Sequence, residues 1–138
     1  MSPSAEADNR KQLADAFGFT HDQLIQEFGY DDDVDFDLRD TIEDIIGSDL
    51  EDEDSQEIVD HVIIWFRKSD GDLVDILQDA ISSLDAGGDV WVLTVKAGRD
   101  EHVNPATIME SADLAGLRSM NTITVAEDWT ATRLASRS

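Results

Sequence analysis

Two almost unbroken apolar segments constrain the fold of this chain more than any other feature. They are Val62-Ile63-Ile64-Trp65-Phe66 and Val90-Trp91-Val92-Leu93-Thr94-Val95. A strand with one face in water alternates apolar and polar side chains, whereas a strand covered on both faces does not. The segments therefore predict two buried strands, Ile58–Phe66 and Val90–Val95, inside a sheet that helices cover on both sides.

Helical patterns lie before, between and after these strands. The segment from Val34 to Ile46 is amphipathic and precedes Gly47, a residue that favours helix ends. A second helical pattern follows Asp72, which can cap a helix, and Gly87-Gly88 is predicted to end the connection to the second strand. Asn104-Pro105 predicts the start of a third helix, whose expected inner face comprises Ile108, Met109, Ala112 and Ala115.

The C-terminal part has the alternation of a hairpin. Residues 122–125 and 129–135 have strand-like patterns, and Glu127-Asp128 can form the turn between them. This predicts an antiparallel pair at the edge of the sheet. Residues 22–28 fit a short strand as well as a helix, so the sequence leaves their structure open.

Net charge limits the partners that such a domain can bind. The 138 residues include 32 acidic and 10 basic side chains, a formal charge of −22. Residues 1–60 hold 20 of the acids and 3 of the bases, a charge of −17. This charge opposes direct contact with nucleic acid or an anionic membrane, and it favours a partner protein with a basic surface.

The expected organisation is a flexible N-terminus over residues 1–9 and a single α/β domain over residues 10–135. Within that domain we expect an acidic helical part at 10–57 and a sheet-forming part at 58–135. The chain has no cysteine, no apolar run of membrane-spanning length and no N-terminal signal pattern. These absences favour a cytoplasmic location.

An acid-rich turn, Gly29-Tyr30-Asp31-Asp32-Asp33-Val34-Asp35, lies where a nucleotide-binding α/β domain has its glycine loop. An adenosyl or dinucleotide ligand needs several glycines there, because backbone and ligand approach closely. This turn has one glycine and four aspartates. Because carboxylates repel phosphate and bulky side chains prevent close approach, the turn predicts that no such cofactor binds.

From Ile58 to Leu134 the chain resembles the second half of class-one S-adenosylmethionine-dependent methyltransferases. The resemblance is carried by Leu84-Asp85-Ala86-Gly87-Gly88-Asp89-Val90-Trp91 and by Ala115-Gly116-Leu117. It implies an α/β fold: a small three-layer Rossmann-like mixed sheet, degenerate relative to the methyltransferases, with an antiparallel C-terminal strand pair. The first half departs from the pattern, so the resemblance implies the fold and no cofactor.

Over residues 20–135 the chain also resembles a small acidic actinobacterial domain-of-unknown-function family (number three-zero-five-two). That resemblance implies no activity. The segments that carry it are Gln26-Glu27-Phe28-Gly29-Tyr30-Asp31, Leu38-Arg39-Asp40, Gly71-Asp72-Leu73-Val74-Asp75, Leu93-Thr94-Val95-Lys96-Ala97-Gly98-Arg99 and Asp128-Trp129-Thr130-Ala131-Thr132-Arg133-Leu134.

One group of residues reverses the local charge. Lys96 and Arg99 follow the second buried strand, and His102 and Asn104 precede the third helix. Ligands of open α/β sheets collect beyond the carboxyl ends of the strands, and a helix N-terminus adds positive partial charge. These four residues form a candidate anion or partner site. Alternatively, Lys96 and Arg99 neutralise neighbouring acids in a loop.

A second candidate surface is acidic and is expected to contact a basic partner. The aspartates that precede the first helix lack the glycine and glutamate of a calcium-binding loop, so no metal site is predicted. Alternatively, they stabilise the positive end of the helix dipole. The candidate acidic residues are Asp31, Asp32, Asp33, Asp35, Glu51, Asp52, Glu53 and Asp54.

No catalytic residue is predicted. The chain has neither a nucleophile elbow nor a phosphate-binding Walker loop, and its histidines lack metal-ligand spacing. His61 lies in the first buried strand, where we expect a hydrogen-bonded sheet residue. The three tryptophans are expected in the core.

These observations favour a non-catalytic acidic domain that binds or regulates another protein. Two alternatives remain open. One is a small-molecule or anion binder, or an enzyme, that uses the strand-end site around Lys96 and Arg99. The other is a DNA mimic that inhibits a basic protein.

Overall fold

The two apolar segments lie side by side in a five-stranded mixed sheet. The computed structural model describes residues 12–13 and 15–136, so the predicted flexible segment 1–9 lies outside the described residues. Residues 12–13 and 15–17 are helical. The strands are β1 Ile25–Phe28, β2 Val59–Trp65, β3 Leu84–Val95, β4 Leu117–Thr124 and β5 Trp129–Ser136. The main helices are α1 Phe36–Ile46, α2 Leu73–Ser82 and α3 Pro105–Leu114, and a short 3-10 turn spans Lys68–Asp70.

The order of strands in the sheet is β1-β2-β3-β5-β4. Strands β1, β2 and β3 are parallel, and β5 pairs antiparallel with both β3 and β4. The predicted mixed sheet with an antiparallel C-terminal pair is therefore confirmed. Because β1, β2 and β3 run in the same direction, their carboxyl ends lie at one edge of the sheet.

Apolar clusters on both faces of the sheet form the core. On one face, α1 packs through Leu38 and Ile42 against a cluster that contains all three tryptophans, Trp65, Trp91 and Trp129. On the other face, α2 and α3 pack over a cluster that contains Val62, Ile64, Val90 and Val92. Adjacent β2 residues alternate between the two clusters, as expected for a strand covered on both sides. The three-layer arrangement is confirmed.

Each main helix begins at a residue whose side chain accepts a hydrogen bond from the first turn. The Asp35 carboxylate accepts from the Leu38 amide, Asp72 from Val74, and Asn104 from Ala106. Helix α1 ends at Gly47, which has the left-handed conformation with φ 79°. The starts of α2 and α3 and the end of α1 agree with the sequence pattern, because capping depends on neighbouring residues alone. Helix α1 starts at Phe36 rather than at Val34, because Asp35 is its cap.

The structure shows where residues 22–28 form a strand, and it corrects two predicted details of the sheet. Residues 25–28 form a strand, so the sheet includes part of the acidic segment 10–57 as well as residues 58–135. Gly87 and Gly88 lie inside β3 rather than before it, because the strand begins at Leu84. A Cβ at Gly88 would clash with the Asp60 carbonyl, so the strands approach closely there.

The inner face of α3 also differs from the prediction. Met109 is 55% exposed, and the buried residues of α3 are Ile108, Ser111 and Ala112. A serine at a buried helix position gives no apolar signal in the sequence, so the predicted stripe included the neighbouring methionine instead.

Candidate functional site

The carboxyl ends of β1 and β2 approach each other closely at Gly29. This glycine has φ 75°, and a Cβ at its position would clash with the Trp65 carbonyl oxygen. The only glycine of the acid-rich turn is therefore used for a contact within the protein. The conformation and the close approach both require a residue without a side chain.

Arg67, one position after the apolar segment, joins the two strand ends. It is 7% exposed, and its Nη1 donates to the carbonyl oxygens of Gly29 at 2.7 Å and Trp65 at 3.0 Å. Its Nε donates to Asp33 at 2.9 Å, its Nη2 donates to the other Asp33 oxygen, and Nη1 also contacts Asp70 at 3.2 Å. Arginine suits this position because one planar guanidinium offers five donors.

Asp33 is thus a structural ion-pair partner. The hydrogen bond from the Arg67 guanidinium lowers the pKa of Asp33 below its ordinary value, although desolvation acts in the opposite direction. The turn is less negative than its sequence predicts, because one of its four aspartates is paired with a buried cation. No sequence pattern identified this role of Arg67, although its position directly after a buried strand was an available signal.

A second buried ion pair positions an exposed aromatic ring. Glu27 is 6% exposed and accepts hydrogen bonds from Arg39 at 2.7 and 2.9 Å and from the Trp65 indole at 2.8 Å. The Arg39 guanidinium lies 4.7 Å from the centre of the Tyr30 ring. Tyr30 is half exposed, and the similarly exposed Phe36 contacts its ring edge-on at 6.1 Å.

Beside Tyr30 lies a cavity of about 310 Å³ that opens at the ends of β1 and β2. Its apolar part includes Phe28, Ile64 and Ile76. Its charged part has one guanidinium, which is already paired, and four carboxylates. The charged lining residues are Arg67, Asp31, Glu53, Asp70 and Asp79. We call this cavity, together with Tyr30 and Phe36, the acidic aromatic face.

The structure divides the eight predicted acidic residues. Asp31 and Glu53 meet at the acidic aromatic face, although 22 positions separate them (53 − 31). Asp32 and Asp54 are exposed, whereas Asp33 pairs with Arg67 and Asp35 caps α1.

Glu51 and Asp52 support the loop that brings Glu53 to this face. Glu51 forms an isolated parallel bridge with Gln26, and its main chain exchanges hydrogen bonds with β1. Asp52 accepts a hydrogen bond from the Asp54 amide at 3.0 Å. The outer edge of β1 is therefore partly covered by the acidic loop, which limits unwanted strand pairing there.

The four residues of the predicted anion site do not share one cavity wall. Arg99 pairs with Asp128 at 2.5 Å, as the loop alternative predicts for that residue, and the main-chain amide of Lys96 donates to the Asp128 carbonyl. His102 and Asn104 line a different cavity, between α2 and α3, whose wall includes neither Lys96 nor Arg99. Asn104 caps α3.

His61 is a hydrogen-bonded sheet residue, as predicted. Its Nδ1 lies 2.6 Å from Asp89, and its Nε2 lies 3.1 Å from the Gln23 side-chain oxygen. Asp89 also accepts from Arg133 at 2.7 Å. This network joins β2, β3 and β5.

In the described part of the chain, no cluster of three or more histidine, cysteine or carboxylate side chains is arranged to hold a metal ion. No helix among residues 12–13 and 15–136 combines the length and apolar character needed to cross a bilayer.

Comparison with known proteins assigns the chain to a family. Residues 14–138 match the family described as "Protein of unknown function (DUF3052)". The chain belongs to this family. Relatives from Mycobacterium tuberculosis and Mycobacterium bovis, each named only as an uncharacterized protein, are 46% identical over 128 residues, which is 93% of this chain and 80% of theirs. The family resemblance inferred from sequence is confirmed.

The fold of this family member is similar to that of methyltransferases. A putative methyltransferase from Thermoplasma acidophilum aligns with a TM-score of 0.61 and 13% identity over 87% of this chain and 70% of its own. A precorrin-6y C5,15-methyltransferase from Geobacter metallireducens aligns with a TM-score of 0.61 and 10% identity over 92% of this chain and 87% of its own. At these identities the similarity establishes the fold alone.

The residues at the ends of β1 and β2 do not fit an adenosyl cofactor. A glycine loop leaves room for close approach of a ligand, but Gly29 uses its free space for the Trp65 carbonyl. Arg67 and Asp33 lie against the same strand ends and are bonded to each other.

Proposed function

We propose that this domain binds a basic segment of another protein through the acidic aromatic face, on a methyltransferase-like scaffold that performs no methyl transfer. The observation that carries the proposal is the exposed Tyr30–Phe36 pair beside a cavity with four carboxylates. Lysine and arginine side chains combine an apolar stem with a cationic end. The cavity offers apolar side chains for the stem and carboxylates for the charge.

The aromatic residues supply the contact energy that a purely acidic surface lacks. Exposed ion pairs contribute little each, whereas aromatic side chains often dominate binding at interfaces. Tyr30 is already held by Arg39, so little side-chain freedom is lost when a partner covers it. Cations also bind to the faces of aromatic rings, as the Arg39 guanidinium does at the Tyr30 ring.

The charge of the whole chain favours the same partner. A protein of net charge −22 attracts a basic segment over a distance and accelerates its association. This attraction weakens with salt because added ions screen exposed charges beyond about 10 Å at 0.1 M ionic strength. A DNA mimic binds its basic partner through the same attraction. DNA mimicry therefore stays a prediction, and the measurement that tests it is competition between this domain and DNA for a basic protein.

The test uses a short fluorescent peptide of alternating lysine and glycine, with fluorescence anisotropy as the measurement. We expect saturable binding that weakens at least about tenfold when salt rises from about 50 mM to about 500 mM. One variant neutralises Asp31 and Glu53, which line the cavity, together with their exposed neighbours Asp32 and Asp54: Asp31→Asn, Asp32→Asn, Glu53→Gln and Asp54→Asn. Asp33 is left unchanged because Arg67 requires it.

A matched variant separates position from net charge. It removes four exposed acids elsewhere, through Asp75→Asn, Asp100→Asn, Glu110→Gln and Glu127→Gln. Both variants have the same formal charge, −18 from −22 + 4. The proposal predicts a loss of binding in the face variant and in Tyr30→Ala that clearly exceeds the loss in the matched variant. Equal losses in the two four-acid variants, with no effect of Tyr30→Ala, would refute it.

A further inference from the structure

A second cavity, of about 330 Å³, lies between the N-terminal ends of α2 and α3 and away from the acidic aromatic face. Its wall comes from the segment after β2, the start of α2, the loop before α3 and the first turns of α3. The residues that matter for its chemistry are Lys68, Asp72, His102, Asn104, Thr107 and Ser111.

The most informative of these residues is Ser111. It is 7% exposed and lines the cavity. Serine inside a helix commonly donates its hydroxyl to the carbonyl four residues earlier. The Ser111 hydroxyl makes no such bond and has no other hydrogen-bond partner among residues 12–13 and 15–136. The Ser111 oxygen is not among the fully buried side-chain atoms that lack a partner, so it is reached from the cavity and can donate its hydrogen to a ligand oxygen there.

His102 adds a second hydrogen-bonding group with a defined tautomer. Its Nδ1 lies 2.7 Å from the Val95 carbonyl oxygen. A carbonyl can only accept, so Nδ1 carries the hydrogen. Nε2 is then an acceptor in the neutral ring and a donor in the protonated ring. The ring can therefore form a hydrogen bond with a ligand acid group whether that group is protonated or ionised.

Lys68 supplies the positive charge of this cavity. It is exposed, its amide donates to the Glu101 carbonyl, and its charge interacts with the Glu101 carboxylate without closing a salt bridge among the described residues. Asp72 is the carboxylate of the wall, and it is engaged as the cap of α2 through the Val74 amide at 2.9 Å. The N-terminus of α3, capped by neutral Asn104, adds positive partial charge.

We infer that this cavity binds a small ligand that carries a phosphate or carboxylate group, with Lys68, Ser111 and His102 as its main contacts. The inference is independent of the proposed basic partner, which binds a different face. It also differs from the anion site predicted from sequence, because Lys68 and Ser111 take the places assigned to Lys96 and Arg99. The −22 charge of the chain weakens such binding but does not prevent it, since charges farther than about 8 Å from the cavity are largely screened at 0.15 M ionic strength.

The test is an amide NMR titration with inorganic phosphate and, separately, with acetate, at a constant ionic strength of about 0.15 M. We expect at least one of the two ions to cause saturable shifts at residues 68–73 and 102–111. A response to phosphate alone identifies a phosphate ligand, and a response to acetate alone identifies a carboxylate ligand. Lys68→Gln and Ser111→Ala should each weaken binding about tenfold.

Lys96→Gln is the matched control, because Lys96 is a lysine outside this cavity wall, and it should bind as the original protein does. The inference is wrong if neither ion causes saturable shifts in the cavity. It is equally wrong if Lys68→Gln binds the responding ion with undiminished affinity. Lys68 is exposed, so its substitution leaves the fold intact. The affinity of Lys68→Gln for the ion therefore tests the inference even if Ser111→Ala unfolds.

Discussion

At the scale of single residues, Arg67 is the residue on which the strand-end architecture depends. Its guanidinium satisfies two main-chain carbonyls and two carboxylates and lies 5.5 Å from the centre of the Trp129 ring. The two main-chain carbonyls would otherwise require water or another donor in a largely buried place. The arginine is therefore the group that organises this edge of the sheet.

We predict that Arg67→Ala lowers the free energy of unfolding by about 2–4 kcal/mol, because buried acceptors lose their donor. The value stays below that of a fully buried pair because Asp33 is 53% exposed. Urea denaturation measures it. Arg99→Ala breaks an exposed pair with Asp128 and should change the free energy by less than about 0.5 kcal/mol. Similar effects of the two substitutions would contradict this account.

The pH dependence of stability reports the Asp33 pair separately. Arg67 lowers the pKa of Asp33 in the folded state, so the pair stabilises the protein above the unfolded pKa of about 4. This stabilisation is lost as the pH falls through the lower, folded pKa. We predict that Asp33→Asn is less stable than the original protein at pH 7 and that the difference disappears at low pH. A constant difference across that range would show that the carboxylate charge has no role.

Residue roles were predictable from sequence where they depend on near neighbours. Asp72 and Asn104 were expected to precede helices, because a cap bonds an amide two or three positions later. Asp35 was placed inside the predicted segment from Val34 to Ile46, whereas it caps a helix that begins at Phe36. The pairing of Asp33 with Arg67 spans 34 positions and depends on how β1 and β2 align. No local pattern contains that information, so the turn was expected to be more anionic than it is.

At the scale of elements, the contact between β1 and β2 depends on Gly29. Gly29→Ala places a Cβ against the Trp65 carbonyl in a left-handed backbone conformation, and we predict a loss of about 2–4 kcal/mol in the free energy of unfolding. Gly98 also has a positive φ, but a Cβ there meets nothing within 4 Å. Gly98→Ala should therefore cost only about 1–2 kcal/mol.

The comparison of the two glycine variants isolates the steric part, because both incur the same conformational penalty. Thermal and urea denaturation measure the difference. If Gly29→Ala were no more destabilising than Gly98→Ala, the close approach of the strand ends would not matter for stability. The explanation for the single glycine of the turn would then fail.

The sequence predicted elements well where the apolar pattern was long. Strand β2 and helices α1, α2 and α3 agree with their patterns, because burial on one face or both imposes a clear period. The sequence did not decide between strand and helix at Ile25–Phe28, because four residues fit the period of either element. All four are buried, and the segment is flanked by β2 and by the loop whose Glu51 forms a bridge with Gln26. Tertiary contacts decided its structure.

At the scale of the whole molecule, charge and fold have separate consequences. The sheet supplies the methyltransferase-like scaffold, while the first 60 residues carry a formal charge of −17, from 20 acids and 3 bases. Sequence alone predicted the fold and the acidity. It did not predict that Asp31 and Glu53 line the same cavity as Tyr30, since that depends on the loop that follows α1.

The most direct test of the central claim is one amide NMR experiment with two ligands. The protein is titrated in parallel with the lysine–glycine peptide and with S-adenosylmethionine. We predict that the peptide shifts the amides of residues 29–36 and 53–54 saturably and that S-adenosylmethionine leaves them unchanged. Saturable shifts of these amides with S-adenosylmethionine, and none with the peptide, would contradict the claim.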